Sequence, residues 1–376
     1  MKMEITLYGL QVYWWLLVSI IGALFVFMTF VQGGQTLLYT LAQNEEERDL
    51  LVNSLGRKWE LTFTALVMFG GALFAAFPLF YAVSFGGAYY VWMAILFCFI
   101  IQAVAYEYRK KPDNVYGTRF YETLLYINGT LGIFLIGVAL ATLFSGGNFT
   151  VNEYNFSRWT QESYGLEALL NPFNLAFGFM LVFLARVQGA LYFYNSLANK
   201  AIEERVVSVV RKNFIIFLVL FLYVVITVLL QDGYVYDGST KVVTVVEYKF
   251  VHIFLNSIVS LFGFLLGVVT LLFGIYTAVF KSSKKAIFFT GTGTVLTVTF
   301  LLFILGIENS IFYPSLSDMQ SSLSIENSSG SYYTLSVMAV VSLLVPVVLA
   351  YIVAVWRSMD KTQLTVEEIQ NDSHHY

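Results

Sequence analysis

Nine long apolar segments divide this chain, near residues 10 to 32, 61 to 84, 87 to 107, 122 to 145, 172 to 195, 213 to 231, 252 to 279, 286 to 306 and 333 to 356, with polar stretches between them. Each is a continuous apolar run without period-2 alternation, so the pattern predicts helices and not the strands of a barrel. A hydrocarbon layer about 30 Å thick takes roughly 20 apolar residues per helix. The expectation is an all-α polytopic membrane protein with about nine transmembrane helices.

The same pattern supplies finer expectations. No linker rich in Pro or Gly interrupts it, so residues 1–376 read as a single membrane domain. The first run follows only nine residues, contains Trp14 and Trp15 and lacks a small-residue cleavage site, which predicts a retained helix in a mature chain that begins at Met1. Between the first two runs, Leu37, Leu38, Leu41, Leu50, Leu51 and Leu55 surround a charged stretch, which predicts an amphipathic helix on or near the inner surface. Loops 146 to 171 and 307 to 332 are expected to cap the outer face. Gly263 and Gly267 form a GxxxG pair for close helix packing, Pro172 suits a helix start, and Pro346 should kink the ninth run.

Composition sharpens the picture. The chain is 58% hydrophobic, 18% aromatic and 12% charged, against roughly 25% charged in soluble domains. With nine spans, sixteen of the 21 Lys and Arg fall on one side: Arg48, Arg57, Lys58, Arg109, Lys110, Lys111, Arg119, Lys200, Arg205, Arg211, Lys212, Lys281, Lys284, Lys285, Arg357 and Lys361. The other side holds Lys2, Arg158, Lys241 and Lys249. By the positive-inside rule the N-terminus is expected outside and the C-terminus in the cytoplasm. A net charge of −3 gives no reason to expect nucleic acid, and the single Cys98 excludes a disulfide framework or a thiolate metal site.

Depth then sorts the polar residues. Gln32, Gln35, Trp59, Glu60, Glu107 and Arg109 should share one level at the inner ends of the first three spans. A carboxyl at Glu60, where the second span begins, suits proton uptake; the plain alternative is an interfacial Glu that hydrates or pairs with Lys58. Glu107 and Arg109 are two residues apart, so they should reach different neighbours. Arg186, about fourteen residues into the fifth span, must face protein, a carboxylate, backbone carbonyls or a lipid headgroup. Asn128 and Asn256 read as interhelical hydrogen-bonding residues. His252, His374 and His375 are too few and too scattered to ligate a pair of haems or copper. There is no Walker loop and no pair of broken helices, so a secondary transporter or channel is the weaker reading.

From end to end the residues resemble subunit II of the cytochrome bd quinol oxidases. The resemblance is carried by YWWLLV at 13 to 18, NSLGRKWE at 53 to 60, GGALFAAFP at 70 to 78 with Tyr81, YEYRKK at 106 to 111, LLNPFNLAFG at 169 to 178 and QGALY at 188 to 192. It closes with YPS at 313 to 315, LSIENSSGSYYTLSVM at 323 to 338, and Pro346 with Tyr351. It implies a multi-pass subunit of a bacterial or archaeal cell membrane, paired pseudo-symmetrically with a subunit I that holds haems b558, b595 and d and the quinol site. It also implies quinol and dioxygen as substrates of the whole complex, contact with membrane lipids, and room for a bound quinone or lipid and a small third subunit. No haem or metal ligand and no catalytic residue is expected in this chain itself.

The resemblance assigns the acid of the family's Trp-Asp pair, thought to line a proton path, to Glu60 beside Trp59. It makes Glu107 and Arg109 structural or subunit-contact candidates, and Arg186, Gln32 and Gln35 join them as structural polar candidates by their position in the spans. Departures are informative. QGGQ at 32 to 35 replaces the family's two aspartates by amides, Ala65 stands where the family has Trp, and Gln102 where it often has Arg. These changes imply a drier path near the inner ends of spans one to three, with Glu60 at most a proton-collecting group.

Overall fold

The computed structural model describes residues 6–365; Met1, Lys2, His374 and His375 lie outside the described residues. Among the described residues nine helices have the length and apolarity to cross a membrane. In chain order these spans are Leu7–Gln35, Trp59–Ala76, Tyr89–Tyr108, Thr118–Ser145, Pro172–Ser196, Lys200–Leu230, Ile258–Lys281, Ala286–Phe303 and Tyr332–Met359. The apolar runs locate all nine, and the departures occur where local chemistry interrupts a run.

The second run does not continue to residue 84. Its helix stops at Ala76 because Pro78 disfavours a helical Phe77, and a short turn Pro78–Tyr81 and a wide turn Ala82–Gly87 follow. The seventh breaks at Ser257, so Lys249–Asn256 forms a separate short helix. The ninth kinks as expected, between Tyr332–Ser342 and Val345–Met359, with Pro346 in the first turn of the second piece. The sixth begins at Lys200, far ahead of its apolar run, because Asn199 caps it by accepting from Ile202 N.

Helix packing relies on close backbone approach. A Cβ at Gly33 would lie 1.9 Å from Ala185 O, and one at Gly189 2.4 Å from Gly34 N, so the first and fifth spans cross almost backbone to backbone. The Gly263 and Gly267 pair meets the eighth span: a Cβ at Gly267 would sit 2.5 Å from Thr297 N. In hydrocarbon, where no hydrophobic force drives helices together, such contacts supply the dispersion energy of assembly.

The two ends differ. At one end Arg48, Lys58, Arg109, Arg205 and Lys284 meet carboxylates; this is the basic end. The opposite, loop end carries three small antiparallel hairpins outside the spans. They knit together through Val151 N to Ser321 Oγ (2.9 Å), Leu316 N to Gly147 O (2.9 Å) and Val243 N to Gln320 Oε1 (2.8 Å). Loops 146 to 171 and 307 to 332 thus form a joint cap with the unforeseen hairpin Gly233–Asp237 and Val242–Val246.

The segment between the first two spans lies at the basic end, with its apolar face covered by protein. Helix Glu45–Gly56 does not float on a lipid surface; Leu37, Leu38, Leu41, Leu50, Leu51 and Leu55 are all buried. It is wedged under the bundle, where Ser54 meets Ser196, Tyr192 OH donates to Ser54 O, and Arg205 pairs with Glu47 at 2.7 Å. The fifth span, which it supports, is also the span that Gly33 lets approach.

Gly33→Ala should therefore cost about 1–3 kcal/mol through overpacking, whereas Gly71→Ala, whose Cβ would meet nothing within 4 Å, should be close to neutral. Thermal unfolding of the two purified variants checks the contrast; equal midpoints would contradict the packing account.

Candidate functional site

The basic ends of the first four spans converge on a buried polar cluster. Its anchor is Arg109, fully buried at the end of the third span. Its Nε and NH2 donate to Glu122 Oε1 at 3.1 and 2.6 Å, and NH2 also reaches Asp49 Oδ1 at 2.7 Å. Glu122 is 1% exposed and lies in the first turns of the fourth span, while Asp49 comes from the wedged helix. Tyr39 OH donates to Glu122 Oε2, Arg48 Nε lies 3.6 Å from the same oxygen, and Lys110 Nζ closes on Asp49 Oδ2 at 2.8 Å.

The anchoring is strong because its partners are fixed. A guanidinium out of water needs paired charge and filled hydrogen bonds, and here it shares one carboxylate oxygen through two donors. Glu107 is elsewhere, pointing outward to Lys111 at 2.9 Å, so the two neighbours do reach different partners.

One turn deeper lie neutral groups. Gln35 Nε2 donates to Tyr106 OH at 3.2 Å, and Gln32 Nε2 to Gln102 Oε1 at 2.9 Å. Trp59 stacks on Tyr106 with ring centres 5.7 Å apart and planes 15° apart. Asn128 sits in a wide helical turn, Asn128–Gly132, whose Gly129 packs against the backbone of Gln32. Gln32 Oε1, Gln35 Oε1, Gln102 Nε2, Trp59 Nε1 and both polar atoms of Asn128 are buried without a hydrogen-bond partner among the described residues. An orphaned buried polar atom costs about 1–3 kcal/mol, so this grouping calls for ordered water. The level remains polar even with amides in place of acids.

Glu60 does not join the cluster. It is exposed on the outer side of the second span, although Trp59 beside it faces Tyr106. It does not pair with Lys58 either: Lys58 is fully buried and bonds Asp360 at 2.9 Å, with its ammonium 5.4 Å from the Trp356 ring centre. Lys58 thereby ties the second span to the end of the ninth. Arg186 finds neutral oxygens, Asn213 Oδ1 at 2.7 Å and Thr36 Oγ1 at 2.8 Å. Since Asn213 follows Arg211 and Lys212 and Thr36 ends the first span, Arg186 lies nearer the basic end than its count along the fifth run suggests. His252, the one histidine among the described residues, is exposed near the loop end, which does not fit a haem iron ligand inside the bundle.

Sequence reasoning missed Glu122, Asp49, Tyr39 and Tyr106. One signal was present: Gln102, Tyr106 and Arg109 follow i, i+4, i+7 spacing and so share one helix face. Arg109→Gln should destabilise the protein by about 3–5 kcal/mol because buried Glu122 loses its main counter-charge and keeps only the Tyr39 hydroxyl and the longer Arg48 contact, and the double variant with Glu122→Gln should recover part of that loss. Thermal midpoints of the purified variants decide it; an unchanged R109Q midpoint would contradict the anchor.

Comparison with known proteins agrees with this architecture. Residues 10–359 match the family described as cytochrome bd terminal oxidase subunit II. The chain is 29% identical to cytochrome bd-I ubiquinol oxidase subunit 2 of Escherichia coli (strain K12), over 97% of this chain and 98% of that one. It is 31% identical to cytochrome bd ubiquinol oxidase subunit 2 of Bacillus subtilis (strain 168) over a shorter stretch, 35% of this chain and 40% of the relative. The solved bd oxidase of Geobacillus thermodenitrificans has a chain of the same fold, with a TM-score of 0.63 at 12% identity, covering 93% of this chain and 98% of that one. The transporter or channel reading is not favoured. The chain belongs to the cytochrome bd terminal oxidase subunit II family, as a multi-pass membrane subunit of a quinol:oxygen oxidoreductase complex.

Proposed function

We propose that this chain is the haem-free half of its complex, that its basic end faces the cytoplasm, and that it presents Glu60 to subunit I as a proton-collecting carboxylate. The observation that carries this reading is the position of Glu60. It stands at the start of a membrane helix, exposed on the side turned away from the chain's own core, and among the described residues it has no ion pair or hydrogen bond. A carboxylate facing hydrocarbon is costly. A partner subunit that seats against the second span removes that cost by offering polar groups or water.

Neighbouring features support the same face. The ninth span leaves Val340, Leu343, Val347 and Tyr351 exposed and is joined to the second by the Lys58 to Asp360 pair. The third span exposes Phe97 and Ile100. Spans two, three and nine are read together as the surface that receives subunit I, with haems b558, b595 and d and the quinol site on the partner. When bound there, the haems supply the electron transfer and oxygen reduction. This chain's residues hold the partner, and Glu60 holds a proton at its carboxyl oxygens until a group of subunit I or a water accepts it. Arg109, Glu122, Asp49, Gln32 and Gln35 shape the ground behind Glu60 and are structural. A small third subunit has no support among the described residues.

In the purified complex, Glu60→Gln is expected to lower quinol-driven oxygen consumption several-fold, most at high pH where protons are scarce, with subunit ratio and haem content unchanged. Glu60→Asp, which restores a carboxyl, should recover most of the rate. Full E60Q turnover across the pH range would remove Glu60 from proton delivery.

A further inference from the structure

Between the fourth and fifth spans lies an open groove of about 510 Å³ that neither the proton-collecting role nor the partner face uses. Its walls are two helix faces. Tyr126, Thr130 and Phe134 follow i, i+4, i+8 on the fourth span, and Phe179, Val182 and Arg186 follow i, i+3, i+7 on the fifth. Phe134 and Phe179 meet at 4.7 Å between ring centres and close its far end.

Arg186 forms the near end, and its electrostatics are incomplete. Nε is committed to Asn213 and NH1 to Thr36, both neutral, and among the described residues no carboxylate forms an ion pair with this guanidinium. Compare Arg109, for which the same chain supplies two carboxylates. The depth is that of headgroups, since Asn213 directly follows the exposed Arg211 and Lys212 and Thr36 terminates the first span. From Arg186 to Phe179 the helix rises roughly 10 Å, so a chain in the groove would run from headgroup level into the hydrocarbon.

The geometry points to a binding site for one anionic phospholipid, its phosphate held by the Arg186 guanidinium and an acyl chain laid between the fourth and fifth spans against Phe134 and Phe179. Nε and NH1 are held by Asn213 and Thr36, so NH2, which has no hydrogen-bond partner among the described residues, donates to a phosphate oxygen while the whole guanidinium supplies the charge. The aromatic floor matches an alkyl chain, while Thr130 offers no hydroxyl to the ligand because it already donates to Tyr126 O at 2.7 Å. The commitment to a lipid, and not to a quinone ring, rests on that charge: a quinone presents neutral carbonyls and leaves the cation uncompensated.

The test uses the purified two-subunit complex in nanodiscs of phosphatidylcholine with and without phosphatidylglycerol, followed by native mass spectrometry. A retained phosphatidylglycerol, enriched on the order of tenfold over phosphatidylcholine, is expected for the natural chain. Arg186→Gln should abolish the enrichment, and Arg186→Lys should keep part of it. Leu131→Trp, which fills the groove from an exposed position without touching the Arg186 bonds, should release the lipid and keeps the test valid if R186Q fails to assemble. Equal retention of both lipids, a quinone in place of a lipid, no bound lipid, or unchanged phosphatidylglycerol retention in the two variants R186Q and L131W would each overturn the assignment.

Discussion

A fully buried guanidinium is the constraint around which the basic end is built. Arg109 ends the third span with no exposure to solvent, and the two carboxylates that neutralise it come from different elements, Glu122 of the fourth span and Asp49 of the wedged helix. Satisfying one charge therefore fixes three elements at once. Tyr39 and Arg48 complete the shell of Glu122, and Lys110 that of Asp49, so the polar side chains within reach are committed. A second latch, Lys58 to Asp360, fixes the ninth span to the second by the same logic. In a medium that gives no credit for burying apolar surface, these pairs and the glycine crossings set the register of the bundle.

Most of the architecture is legible in the sequence because the hydrocarbon layer imposes one simple requirement, a long apolar run per crossing. The nine runs, the Pro346 kink and the close approach at Gly267 all follow from local chemistry. What local chemistry does not reveal is long-range pairing. Arg109 is conspicuous in YEYRKK, yet its partners stand 13 and 60 residues away in sequence. The wedged helix was legible as amphipathic, but amphipathicity does not say whether lipid or protein covers the apolar face. The sixth helix overshoots its apolar run because an Asn cap and charged residues are as compatible with helix as leucine is.

The candidate site shows the same division. The residue types at 32, 35, 59 and 102 mark a polar level, and the fold brings Gln32, Gln35, Trp59 and Gln102 together. The direction each side chain takes follows from helix rotation, which depends on neighbours. Trp59 and Glu60 are adjacent, and the 100° step of a helix sends one toward Tyr106 and the other away from the chain's core. Glu60 is therefore exposed and stands apart from this chain's interior. Within the cluster two features are likewise separate: the amides retain hydratable groups, but without acids they hold no proton of their own.

That this chain is the haem-free member of its quinol oxidase complex is the proposal on which the account turns. The most direct measurement is a reduced-minus-oxidised spectrum of the complex drawn from native membranes through a tag on this chain, with each haem assigned to its subunit. The account requires a second subunit carrying all the haem, including a long-wavelength haem d band, in fixed ratio to this one. A colourless chain isolated alone, or haem iron ligated by this chain, would contradict it.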